Sequence, residues 1–150
     1  MIILNKEKIS ADQFILINKL DDINNYKFFF FDLNFWIENK SLLKSSNKNF
    51  GIEINSDDSL DQIKCDLPFF KLIIINFKTF KDGRPFSMAR KLRSSLKFKS
   101  EIRASGHILP DQYIFLLRCG FNSVKIKKEE KDIWLKILEN NLGVYYQPKI

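Results

Sequence analysis

The chain is poor in the residues that build metal and redox centres, with two cysteines and one histidine among 150 residues. Cys65 and Cys119 are far apart and form no Cys-x-x-Cys pair, so no zinc or iron–sulfur ligand set can be assembled from them. A structural disulfide is not expected in a reducing compartment, and both thiols read as small buried side chains. Five glycines and four prolines exclude collagen-like or linker-rich material. The longest apolar stretch, Leu67 to Phe77, is broken by Lys71 and falls well short of the roughly 20 residues that span a bilayer. Charges stand at Lys6, Glu7 and Lys8, where a signal peptide would carry its apolar run, so a cytoplasmic location is expected and no membrane contact.

Glycine-rich phosphate loops are missing too. There is no Walker A or G-x-G-x-x-G pattern, no paired carboxylates and no Ser/His/Asp order that spacing supports. No cofactor or metal is therefore expected, catalytic residues are left unassigned, and whether the protein catalyses a reaction stays open. What is present is the composition of a folded domain, 45% hydrophobic and 29% charged, and residues 1–150 read as one domain.

The charge is concentrated. Between Lys71 and Arg103 ten basic residues face two acidic ones, a net of +8, so this third of the chain carries all of the formal +7. Such a segment favours an anionic partner. Lysine outnumbers arginine 20 to 5, in a chain also rich in Ile, Asn and Phe. That pattern fits an AT-rich genome, in which lysine replaces arginine wherever a plain positive charge is enough. All five arginines nevertheless fall in one stretch: Arg84, Arg90, Arg93, Arg103 and Arg118. These positions are expected to need the planar guanidinium fork, whether for an external anion or for internal pairs with Asp82 and Asp111.

The apolar pattern predicts alternating strands and helices. Strands are expected at Tyr26–Leu33, Phe50–Ile54, Leu72–Asn76, Glu101–Ala104 and Val124–Ile126. Helices are expected over Phe35–Leu43, from Asp57-Asp58-Ser59 to Pro68, from Pro85 through Leu96, from Pro110 to Gly120, and around Ile133–Leu138. Two apolar pieces, Ile2–Leu4 and Phe14–Ile17, suggest an N-terminal hairpin-like arm. The fold class is α/β: a mainly parallel sheet of about five strands, either open or part of a β/α barrel.

In such folds ligands collect beyond the carboxyl ends of the strands, beside helix N-termini. Two loops fall there, Phe80–Arg84 and Ser105–Leu109. Arg84 and Ser87 flank a helix start, and Arg103 is expected to end the adjoining strand, so together they could surround a small oxyanion. His107 could serve as a base, though a lone loop histidine is more often a bystander.

The runs around these loops resemble a known family. Phe77-Lys-Thr-Phe-Lys-Asp-Gly-Arg-Pro-Phe-Ser-Met-Ala-Arg-Lys-Leu-Arg93 is similar to F-P-x-F-x-D-G-R-G-x-S-x-A-R-x-L-R. Glu101–Gln112 resembles E-L-R-A-x-G-D-V-L-x-D-Q, Arg118-Cys-Gly-Phe121 matches R-C-G-F, and Tyr146-Gln147 matches a terminal Y-Q. These are motifs of the bacterial domain of unknown function numbered 934, often labelled an oxidoreductase and typically encoded beside sulfite reductase. The strongest similarity covers residues 72–126. The chain departs from the pattern at Lys78, Pro85 and His107, where the family usually has Pro, Gly and Asp. It keeps Cys119 and also Asp82, Gly83, Arg84, Ser87, Arg90, Arg93, Arg103, Gly106, Asp111, Gln112 and Arg118, the last eleven being the candidate anion- or partner-binding residues.

The resemblance implies an accessory protein of assimilatory sulfite reduction. Its basic face would meet sulfite reductase or an acidic electron donor. The alternative is an enzyme or sensor that binds a small oxyanion or phosphorylated metabolite at the Asp82–Arg84 and Arg103–Asp111 loops. Nucleic-acid binding has the charge but no motif or stacking pattern behind it.

Overall fold

A computed structural model describes residues 1–6 and 8–145, and the continuous apolar runs of the sequence are strands. The strands are β1 (Ile2–Asn5), β2 (Lys8–Ala11), β3 (Ile15–Leu16), β4 (Phe28–Asp32), β5 (Asn49–Asn55), β6 (Phe70–Phe77), β7 (Glu101–Gly106) and β8 (Ser123–Ile126). The helices are α1 (Leu33–Ser45), α2 (Arg84–Ser94), α3 (Tyr113–Cys119) and α4 (Lys131–Tyr145). All eight strands form one sheet in the order β2-β1-β8-β7-β6-β5-β4-β3. From β3 to β8 every pairing is parallel, whereas β1 runs antiparallel to both β8 and β2.

The expectation of about five mainly parallel strands is therefore corrected to eight in a mixed sheet, curled as half of a barrel. Its curl follows from chain length. β2 and β3 are the two edges of the sheet, yet only Asp12, Gln13 and Phe14 join them. Four virtual bonds reach at most about 15 Å. A flat eight-stranded sheet would hold its edges about 34 Å apart. The N-terminal hairpin is also re-paired: β1 takes Lys8–Ala11 as its partner, and the Phe14–Ile17 piece adds instead to β4 at the opposite edge.

Strands adjacent in sequence are adjacent in space, so right-handed crossovers place the helices on one face. That convex face carries the main core, in which Phe29, Phe31, Phe50, Ile52, Ile73, Ile75, Ile102 and Val124 pack beneath Trp36, Leu92, Leu116 and Trp134. The β5–β6 crossover does not form the helix expected there. It makes two 3-10 turns instead, Leu60–Gln62 and Leu67–Phe69. The Ser59 hydroxyl spends itself on the Asp61 N–H at 3.2 Å, and Pro68 ends propagation before a full α-helix can form.

The concave face has only a small apolar cluster, Phe30, Leu72 and Ile74, with Phe14 packed against it from the connecting segment. α3 ends at Gly120 in a left-handed cap (φ 113°), where an added Cβ would stand 2.5 Å from Arg93 Cγ. Leu116, wholly buried in this helix, anchors it to the sheet. Leu116→Ala is expected to lower the unfolding free energy by about 2–5 kcal/mol, read from urea denaturation.

Candidate functional site

The strands β6 and β7 end side by side, and their following loops are locked together. Gly106 (φ 88°) crosses so close to β6 that an added Cβ would lie 2.4 Å from the Phe77 carbonyl oxygen. The next N–H, that of His107, donates to that same oxygen at 2.9 Å. Phe80 then stands edge-on against the His107 ring, with centroids 5.4 Å apart. The two sequence-selected loops thus share one end of the sheet.

At the start of α2, Asp82 folds back on Arg84. Its carboxylate accepts the Arg84 backbone N–H at 3.2 Å and the guanidinium Nε and Nη2 at 3.0 and 3.3 Å. This holds the Asp82 carboxyl down at about 2, chiefly through the Arg84 guanidinium and next through the Ser56 hydroxyl. Gly83 is the N-cap with open space around its Cα, and Pro85 occupies the first turn, where its missing N–H costs nothing. Ser87 is exposed one turn further on.

The remaining arginines divide between inside and outside. Arg93, at the far end of α2 from these loops, ties together the residues that lead into β7 and β8 by donating to the carbonyls of Gly120, Phe98 and Ser100 and to Asn122 Oδ1, all within 3.0 Å. Burial pushes its guanidinium down from the ordinary value. Arg103 lies mid-strand, and its side chain is only 5% exposed. It donates to Glu101 Oε2 at 2.8 Å, Asp12 Oδ1 at 3.0 Å and Ser123 Oγ at 3.2 Å. The structure does not bring Arg103 to Arg84: the first points into the concave face, and the second is exposed at the start of a convex-face helix.

Arg90 and Arg118 are exposed. Arg90 lies 5.4 Å over the ring of Phe115, which is 43% exposed. Asp111 is exposed, whereas Gln112 serves the backbone, its Oε1 accepting the Leu109 N–H at 2.9 Å. Cys119 is buried as expected, and burial raises its thiol further from reactivity. Cys65 is exposed, contrary to expectation. Among the described residues no group of three or more His, Cys, Asp or Glu could hold a metal, and no helix is long and apolar enough to cross a membrane.

The motifs that link these loops decide the family. The chain belongs to DUF934. That family, described as bacterial protein of unknown function, matches residues 51–150. No curated protein matches the chain. Within the DUF934 motifs the geometry separates two kinds of position. Arg93, Arg103, Gly106, Gln112 and Gly120 maintain backbone and sheet, and Arg84, Ser87, Arg90 and Arg118 face outward. The Tyr146-Gln147 match lies outside the described residues.

Sequence reasoning missed a cavity of about 480 Å³ beyond the ends of β7 and β8, with Phe80, His107, Leu109, Ile133 and Trp134 among its lining residues. The available signal was Phe80, a large apolar side chain in an otherwise polar loop and 49% exposed.

The Asp82–Arg84 pair makes a pH prediction. Because the folded carboxyl sits at about 2, below its ordinary value, its contribution to stability is complete above about pH 4 and fades as pH falls toward 2. Asp82→Asn should flatten the difference in stability between pH 4 and 2 relative to the parent protein, measured by denaturant titration at each pH.

Proposed function

We propose that this protein is a cytoplasmic accessory factor of assimilatory sulfite reduction. It docks, through the outer face of α2 and α3, on an acidic surface of sulfite reductase or of its electron donor. The observation that carries this reading is the exposed Arg90–Phe115 stack. An arginine placed over a half-exposed aromatic ring, inside a strongly basic field, has the composition of an interface anchor. Arg84, Ser87 and Lys91 follow at helical spacing on the exposed side of the same helix, and Lys81 precedes it. Phe86, packed between Phe77 and Phe115, ties that surface rigidly to the sheet.

Sulfite reductase enters this reading through the family resemblance, and the acidic character of the partner through charge. The oxidoreductase label that accompanies the family needs a redox group, and this reading places that group in the partner. The oxyanion alternative is weaker on this geometry, because the Arg84 fork is engaged with Asp82 and the Arg103 fork with Asp12 and Glu101.

The double variant Lys81→Glu, Lys91→Glu changes two exposed side chains and should leave the melting temperature unchanged. Its association with the sulfite reductase complex of the same cell, followed by calorimetry, should weaken roughly tenfold or more. The parent association should weaken steeply between about 0.05 and 0.3 M salt. Absence of any association at the lower salt overturns the reading.

A further inference from the structure

The cavity beyond β7 and β8 is bordered by a residue with an unmet donor. Trp134 is 1% exposed and lines the cavity, yet its Nε1 has no hydrogen-bond acceptor among the described residues. The other tryptophan shows what burial normally requires, since Trp36 donates its Nε1–H to Asp66 Oδ2 at 3.1 Å. Trp134 packs edge-on against Tyr113 at 5.8 Å, so its ring is accommodated and only its N–H is left over.

The surroundings specify what would answer it. The walls are largely apolar, from Phe80, Ile108, Leu109 and Ile133. Phe80, Leu109 and Ile133 are each at least 40% exposed, an arrangement that leaves apolar surface in water at the cavity mouth. Lys125 and Lys127 stand at the rim against a single carboxylate, Glu130. Lys125 is partly engaged by Asp12 at 3.5 Å, and Lys127 is exposed. A volume of about 480 Å³ is in the range that holds a small organic molecule. The position, at the carboxyl ends of parallel strands, is where α/β sheets place their ligands.

We propose that this cavity is a binding site for a small organic anion with an apolar body. The apolar part lies against Phe80, Ile108 and Ile133, an oxygen accepts the Trp134 N–H, and the negative charge faces Lys127. This site is separate from the docking face of α2 and α3 and does not depend on it.

Octanoate is a suitable probe, with octylammonium as its charge-reversed counterpart and calorimetry as the readout. The full chain should bind octanoate saturably with a Kd below about 10 mM, and octylammonium at least about tenfold more weakly. Trp134→Phe keeps the ring and removes the N–H. Lys127→Glu changes an exposed side chain and spares the core. Each should weaken octanoate binding by about tenfold, and Lys127→Glu should also narrow or reverse the preference over octylammonium. In a Trp36→Phe background the remaining tryptophan emission should change with octanoate along the same isotherm. Absence of saturable binding, equal binding of the two probes, or binding indifferent to Lys127→Glu overturns the proposal. If Trp134→Phe fails to fold, the Lys127→Glu comparison and the emission titration decide alone.

Discussion

An eight-stranded sheet whose two edges are joined by three residues has to curl, and a curled sheet needs something to occupy its concave side. Helices cannot do so here, because every crossover delivers them to the convex face. The concave side is held instead by Arg103, which reaches from mid-β7 to Asp12 in the connector and to Glu101 and Ser123 on the sheet. Its guanidinium also lies 5.9 Å from the ring of Phe14, the connector's other inward side chain. A buried arginine of this kind is tolerable because its donors meet charged or hydroxyl acceptors, and removing either partner would leave a charge stranded in low dielectric. A lysine would offer a single point charge where three acceptors lie in different directions.

That constraint explains why the arginines were legible as special and yet misleading as a group. In a lysine-rich chain, three of the five arginines in that stretch, Arg84, Arg93 and Arg103, use the fork on internal acceptors. The fork's partner, however, cannot be read from spacing. Arg93 turns out to gather three backbone carbonyls and an asparagine, and Arg103 the connector's aspartate, across 91 residues of sequence. Arg84–Asp82, two residues apart, was anticipated from the sequence and is indeed paired, whereas the equally local Arg103–Glu101 pair was not anticipated.

The same distinction runs through the fold. Among the five central strands, β4 and β6 stood out because Phe28–Phe31 and Leu72–Ile75 are continuous apolar runs, a consequence of burial on both faces. Pro85 and Gly120 marked helix boundaries for reasons internal to the backbone. The pairing of β3 did not stand out: Phe14–Ile17 was legible as an apolar piece of the arm, but its place beside β4 is set by how far the connector reaches. Nor did the cavity. Its lining comes from loops and from α4, which meet only after the sheet has curled, and His107 drew attention as a chemical group when its visible role is to pack against Phe80.

Phe80 links the two surfaces that remain available for partners. It lines the cavity mouth on one side, and on the other it adjoins Lys81 and the Asp82–Arg84 turn that begins the basic helix. The loop is held at its base by the His107 N–H on the Phe77 carbonyl and at its far end by the Asp82 carboxylate on the Arg84 N–H. Between those fixed points, Phe80 is free of the main core and half in solvent. Any partner that orders this ring from outside alters the wall that a cavity ligand would touch, and the reverse holds to the same extent, since coupling between two binding events is reciprocal. The sheet supplies the rigid frame for such coupling, and the short loop between β6 and α2 borders both sides.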